Sequence, residues 1–143
     1  MGDPDCINGF VFVPLEASGY SKTPKVAVFN AFDLSFVNSD LHPAFKPLFG
    51  PGNFIEDETQ HDALRATARK RLRGLFERAD KQLADRPWLA GFRSFADPYF
   101  YITLRWAAGA KIDLGGLDNI AAYKTRMDAD AGVQAALKAE GLS

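Results

Sequence analysis

The sequence predicts an all-α fold, a helical bundle of about five helices preceded by a short irregular or β-like N-terminal arm. Three observations predict it. Apolar residues recur at three- and four-residue steps from Leu64 through Ala68, Leu72, Leu75, Phe76 and Ala79 to Leu83. A Ser-x-x-Asp pattern, Ser94 to Asp97, stands directly before a run that is apolar on nearly every side. Between the periodic segments lie strong breakers: Gly50-Pro51-Gly52, Asp85-Arg86-Pro87, Gly115-Gly116 and Gly141.

Taken in order, residues 1–23 are punctuated by Pro4, Gly9, Pro14 and Gly19 around one apolar run at 7–13, which reads as a strand or an ordered arm. Thr23-Pro24 has the form of a helix start, Thr as cap and Pro at the first position, and Val26, Phe29, Phe32 and Phe36 follow at helical spacing toward Leu41. His42-Pro43 is expected to interrupt or kink that helix, because Pro43 lacks a backbone donor and disfavours the α region at residue 42. Phe45, Leu48 and Phe49 form an apolar cluster before the next breaker.

The helix over 64–83 has one apolar stripe, and Arg65, Arg69, Lys70, Arg71 and Arg73 load its first half with positive charge, read as a solvated face with an anion site as the alternative. Ser94 is expected to accept the backbone N–H three residues on while the Asp97 carboxylate reaches back and suits the helix dipole. Tyr99, Ile102, Trp106 and Ala110 share one face of the following helix and Phe100 and Leu104 another, so it should be central and buried, with Tyr99 and Trp106 in the core. Leu117, Ile120, Ala121 and Met127 mark a further helix, and Val133, Ala136 and Leu137 a last short one.

The 143 residues suffice for one domain with its own core, and the single cysteine, Cys6, excludes an internal disulfide. Seventeen basic against eighteen acidic side chains give a net charge of −1, without the excess that nucleic-acid binding draws on. No window approaches a membrane span, and the acidic first residues do not read as an export signal, so no membrane association and a cytoplasmic location are expected.

His42 and His61 are far apart and no Cys or carboxylate cluster has ligand spacing, so no metal is expected. No phosphate loop, nucleophile elbow or cofactor motif is present. Cys6 has no basic neighbour to lower its thiol pKa. From the residues alone His42 either caps a helix end or acts as a donor or base beside Phe45 and Phe49.

Arg-Pro-Trp-Leu-Ala-Gly at 86–91, Ser-Phe-Ala-Asp at 94–97 and Leu-Arg-Trp-Ala at 104–107 together resemble the C-terminal, all-helical domain of glutathione S-transferases. The stretches 35–45, 116–123 and 133–137 resemble the bacterial, beta-like class. The likeness spans residues 30–143, which sets 1–29 apart as an arm of unclear origin. In the family Ser94 and Asp97 belong to a folding and capping motif rather than to catalysis. His42 aligns with a histidine near the active site, and Phe45, Arg105 and Trp106 fall where the helices line the cleft for the hydrophobic co-substrate. Pro43 stands where several beta-class members have Lys, and Ser35 where they have an Asn that reaches glutathione.

The family's thioredoxin-like domain, which carries the thiol-engaging residue, has no counterpart in residues 1–29, and Cys6 lacks the context of a catalytic cysteine. The resemblance therefore implies a truncated transferase of glutathione to electrophiles. It provides the co-substrate half-site, has no catalytic residue of its own and is expected to be inactive alone. Glutathione would be a co-substrate rather than a bound cofactor. The alternative is a non-catalytic helical module that binds apolar ligands or a protein. In either case self-association or a protein partner is expected at the face a thioredoxin-like domain would cover.

Overall fold

The computed structural model describes residues 34–142 in full and residues 5–7, 10–15 and 25–30 at the level of the backbone. In the arm, β1 (Asp5–Ile7), β2 (Phe10–Leu15) and β3 (Lys25–Asn30) form an antiparallel sheet in the order β1-β2-β3, with Cys6 opposite Val11 and Phe12 opposite Val28. The strand β3 corrects the expectation of a helix over this stretch. Lys-Val-Ala-Val-Phe-Asn is a short apolar run with two β-branched residues, and such a run fits either period until a partner strand decides. The expected cap, Thr23-Pro24, lies outside the described residues.

The rest is an all-α bundle of five helices. The first, α1, is a succession of turns: a π-helical stretch Phe36–Leu41, then α-helical turns His42–Ala44 and Lys46–Phe49. His42-Pro43 does not break it. His42 keeps helical angles, φ −58° and ψ −49°, and its N–H reaches five residues back to the Val37 carbonyl. Widening the turn ahead of Pro43 relieves the clash that its ring would make with the carbonyl four residues earlier. Single 3-10 turns follow at Pro51–Asn53 and Glu58–Gln60. Asp57 caps the second, accepting from the Thr59 amide at 3.0 Å and the Thr59 hydroxyl at 2.6 Å, which holds its carboxyl below the usual carboxylate range.

The long α2 (His61–Leu83) buries Ala68, Leu72, Phe76, Ala79 and Leu83, the stripe its periodicity predicts. Its basic face is more than solvated. Arg69 donates to the Ala110 carbonyl at 3.0 Å, and Arg73 to those of Asp113 and Gly115 at 2.8 and 2.9 Å, tying α2 to the end of α3 and the loop after it. The central α3 (Ala96–Gly109) buries residues on most of its circumference, among them Phe100, Thr103, Leu104 and Ala107. The helix α4 (Asp118–Asp128) has its N-terminus capped from α2, where Asp80 accepts from the Ile120 amide at 2.9 Å and the Asn119 side chain at 3.0 Å. The last, α5 (Ala131–Ala139), is capped by Asp130 on the Gly132 and Val133 amides.

Aromatic rings join four of these helices through the core. Phe45 meets Phe76 edge-on at 6.4 Å, Phe76 lies 6.1 Å from Phe100, and Phe100 lies 5.4 Å from Tyr123. At the start of α3 the wholly buried Asp97 carboxylate accepts from the Ser94 amide at 2.7 Å, from the Leu89 amide at 3.2 Å and from the Ser94 hydroxyl at 3.3 Å. The Ser94 hydroxyl oxygen accepts from the Ala96 amide at 3.2 Å, one residue earlier than the spacing suggests, because the Asp97 amide goes to the Ser94 carbonyl. The Tyr123 hydroxyl closes the group by donating to the Asp97 carbonyl at 2.8 Å.

Replacing Asp97 by Ala leaves buried amides without acceptors. It is expected to lower stability by about 3 kcal/mol, against about 1 kcal/mol for Ser94→Ala, read as urea midpoints at unchanged slope. Burial and the neighbouring Asp97 push the Tyr123 phenol far above its ordinary value. Below the unfolded value of about 10 both states keep the proton. Above it only the unfolded chain releases it, so stability falls by up to about 1.4 kcal/mol per pH unit. Tyr123→Phe should abolish that share of the alkaline loss, measured as thermal midpoints between about pH 8 and pH 11.

Candidate functional site

On α1, His42, Phe45 and Phe49 lie three and four residues apart and so share one side of the helix. On α3, Tyr99 and Trp106 are separated by two turns and face them. The Trp106 ring is the meeting point: His42 lies edge-on at 4.9 Å, Phe45 at 5.5 Å and Phe49 at 5.9 Å. Phe45 is fully buried and packs flat on Phe49, whose ring is 62% exposed. Phe45 thus backs the aromatic wall, and Phe49 and Trp106 present it.

His42 Nδ1 lies 2.6 Å from the Tyr99 hydroxyl, which donates to the Asn38 side-chain oxygen at 3.1 Å. A hydroxyl has one proton, and in the tautomer in which Asn38 takes it the bond from His42 is donated by Nδ1. Neutral His42 then carries its lone pair on Nε2, which has no hydrogen-bond partner among the described residues. This arrangement gives a fixed ring with one acceptor nitrogen.

Beside Trp106 a cavity of about 490 Å³ opens between the ends of α1 and α3 and the start of α2. Leu48, Phe49 and Trp106 give it an apolar wall, and Arg65, Arg69 and Arg105 are among its cationic residues. Arg105 also donates to the Leu142 carbonyl at 2.9 Å. A smaller groove of about 280 Å³ between α3 and α5 is lined mainly by Pro98, Ile102, Val133 and Leu137 and has no contact with His42 or Trp106.

Of the residues singled out in the sequence, Arg105 and Trp106 line the larger cavity, whereas His42 and Phe45 touch Trp106 without lining it. Ser94 and Asp97 lie at the opposite end of α3. Tyr99 and Trp106, read as core, are only half-buried and belong to this cluster. Sequence reasoning missed Asn38 and Lys111; it named Phe49 as a neighbour of His42 and read Arg65 and Arg69 as part of a solvated face. The four-residue spacing of Arg65 and Arg69 is a signal for one shared helix side, but nothing local says that α3 ends against it. Among the described residues no group of His, Cys, Asp or Glu is arranged to hold a metal ion, and no helix is long and apolar enough to cross a membrane.

The pattern of the glutathione S-transferase C-terminal domain matches residues 28–130. A glutathione S-transferase of Xanthomonas campestris, GST-4.5, is 49% identical over 111 residues, 77% of this chain and 54% of that protein. Among solved structures, a glutathione S-transferase from Xylella fastidiosa superposes with a TM-score of 0.75 at 46% identity, covering 79% of this chain and 55% of its own. A sphingomonad glutathione S-transferase in complex with glutathione gives 0.68 at 35% identity, over 79% of this chain and 53% of its own. The chain thus spans about half the length of the relatives it matches. Five helices in this order, with the matched segment running from the last strand of the arm into the fourth helix, mean that the chain belongs to the glutathione S-transferase family through its C-terminal domain.

Proposed function

We propose that residues 30–143 are the co-substrate half of a cytoplasmic glutathione transferase, with 1–29 a separate arm. The observation that carries this reading is the Trp106 wall. Its ring is held by His42 and Phe45 and lines a cavity of about 490 Å³ together with Arg105. An apolar electrophile occupies such a cavity by covering Trp106 and Phe49. The sphingomonad glutathione S-transferase, about half of which this chain matches, is in complex with glutathione, which supports glutathione as the other reactant.

In the reaction proposed, the glutathione thiol loses its proton and the thiolate attacks an electrophilic carbon. The new carbon–sulfur bond replaces the bond to a leaving group, which departs with its electron pair. A hydrogen bond or a positive field on the sulfur makes the thiolate accessible at neutral pH. We assign that task to the half of the relatives that this chain does not match. His42, with Nε2 free to accept, helps to hold the polar end of a reactant at the margin of the wall. Exposed Phe49 and Phe54 mark the face for self-association or a protein partner.

The test is glutathione conjugation to chlorodinitrobenzene, run beside binding of the conjugate read from Trp106 fluorescence in a Trp88→Phe background. Saturable quenching without conjugation above the uncatalysed rate is expected, with about threefold weaker binding in His42→Ala, roughly the loss of one hydrogen bond at an open site. Turnover that disappears in His42→Ala would place a working thiol site inside this chain and overturn the half-site reading.

A further inference from the structure

Resting on the reading of the Trp106 cavity as the co-substrate half-site, we propose that it selects electrophiles bearing an anionic group: an aromatic ring with a carboxylate or sulfonate. The cavity joins an apolar wall to four cations, Arg65, Arg69, Arg105 and Lys111, and no acidic side chain lines it. Of the four, only Arg65 has a carboxylate within ion-pair distance among the described residues, Asp62 at 3.2 Å, and that side chain is 97% exposed. Arg69 and Arg105 spend their hydrogen bonds on the backbone carbonyls of Ala110 and Leu142, which fixes both guanidinium groups without neutralising them. The field of Arg105 also reaches Asp128, but that carboxylate is paired with Lys124 at 2.6 Å and takes the Tyr101 hydroxyl at 2.7 Å. Positive charge beside a low-dielectric aromatic wall concentrates the field on whatever lies against the ring.

Lys111 is the informative member. It stands two residues past the end of α3 in the left-handed region, φ 56°, and is the one described non-glycine residue there. The Ile112 amide reaches back to the Ala107 carbonyl at 2.9 Å, the closure that ends a helix when the residue before it is left-handed. Glycine meets that requirement without strain, so a lysine at this position costs stability. What the lysine adds is an exposed ammonium at the cavity edge, with no ion-pair partner among the described residues. Strain retained at a ligand-facing position is the pattern of a residue kept for binding.

The probes are two fluorescent ligands of one shape, anilinonaphthalene sulfonate and its uncharged analogue N-phenyl naphthylamine, titrated into the 143-residue chain. At low salt the sulfonate is expected to bind about tenfold more tightly, the effect of a few partly exposed charges. The ratio should fall toward one as NaCl rises to about 0.5 M. Lys111→Gly should lower the ratio severalfold while raising the thermal midpoint, and Arg65→Gln should lower the ratio without that rise. A ratio near one in the unaltered chain, with both ligands weakened by Trp106→Ala, would overturn the anionic selection and leave the half-site standing. Binding of both ligands indifferent to Trp106→Ala would remove the half-site reading itself.

Discussion

Asp97 is wholly enclosed, and a carboxylate in that position is tolerable only because donors surround it: the Leu89 and Ser94 amides, the Ser94 hydroxyl and, on the adjoining carbonyl, the Tyr123 hydroxyl. Those donors come from the loop before α3 and from α4. Satisfying one charge therefore fixes the direction in which α3 leaves the loop. Because α3 is rigid along its length, the same bonds determine where Tyr99, Arg105 and Trp106 stand.

From that anchor the aromatic rings carry position across the core. Tyr123 touches Phe100, Phe100 touches Phe76, Phe76 touches Phe45, and Phe45 supports Trp106 from behind. Close-packed rings transmit small displacements because no free volume absorbs them. The capping end and the candidate site are thus opposite ends of one packed column, although none of their residues is shared.

Much of this was legible in the sequence, and the exceptions are instructive. Leu72, Phe76, Ala79 and Leu83 declare α2 because a long amphipathic stripe admits one period, and Asp97 declares the start of α3 because Ser-x-x-Asp has a local geometric meaning. Residues 25–30 misled because their four apolar residues, Val26 to Phe29, fit both periods, and pairing with β2 is a non-local event. At the site, Trp106 and Arg105 came from resemblance. Tyr99 read as core because an apolar face looks the same whether a neighbouring helix covers it or a histidine bonds its hydroxyl. The cavity itself exists only where three chain segments converge, and no single stretch encodes that.

The π-helical stretch Phe36–Leu41 acts as a phase shifter. An α-helix turns about 100° per residue, and a stretch closing its bonds five residues back takes in one residue more before it comes round. Everything beyond it, His42, Phe45 and Phe49 included, is rotated relative to Phe36 and Val37 by an amount that no substitution could produce. The two ends of α1 can thus serve different neighbours. Phe36 and Val37 point into the core, and the rings past Pro43 are dialled toward Trp106. In such a helix the number of residues, more than their identity, aims the site. One residue gained or lost within the stretch would turn the aromatic wall away while every side chain in it remained the same.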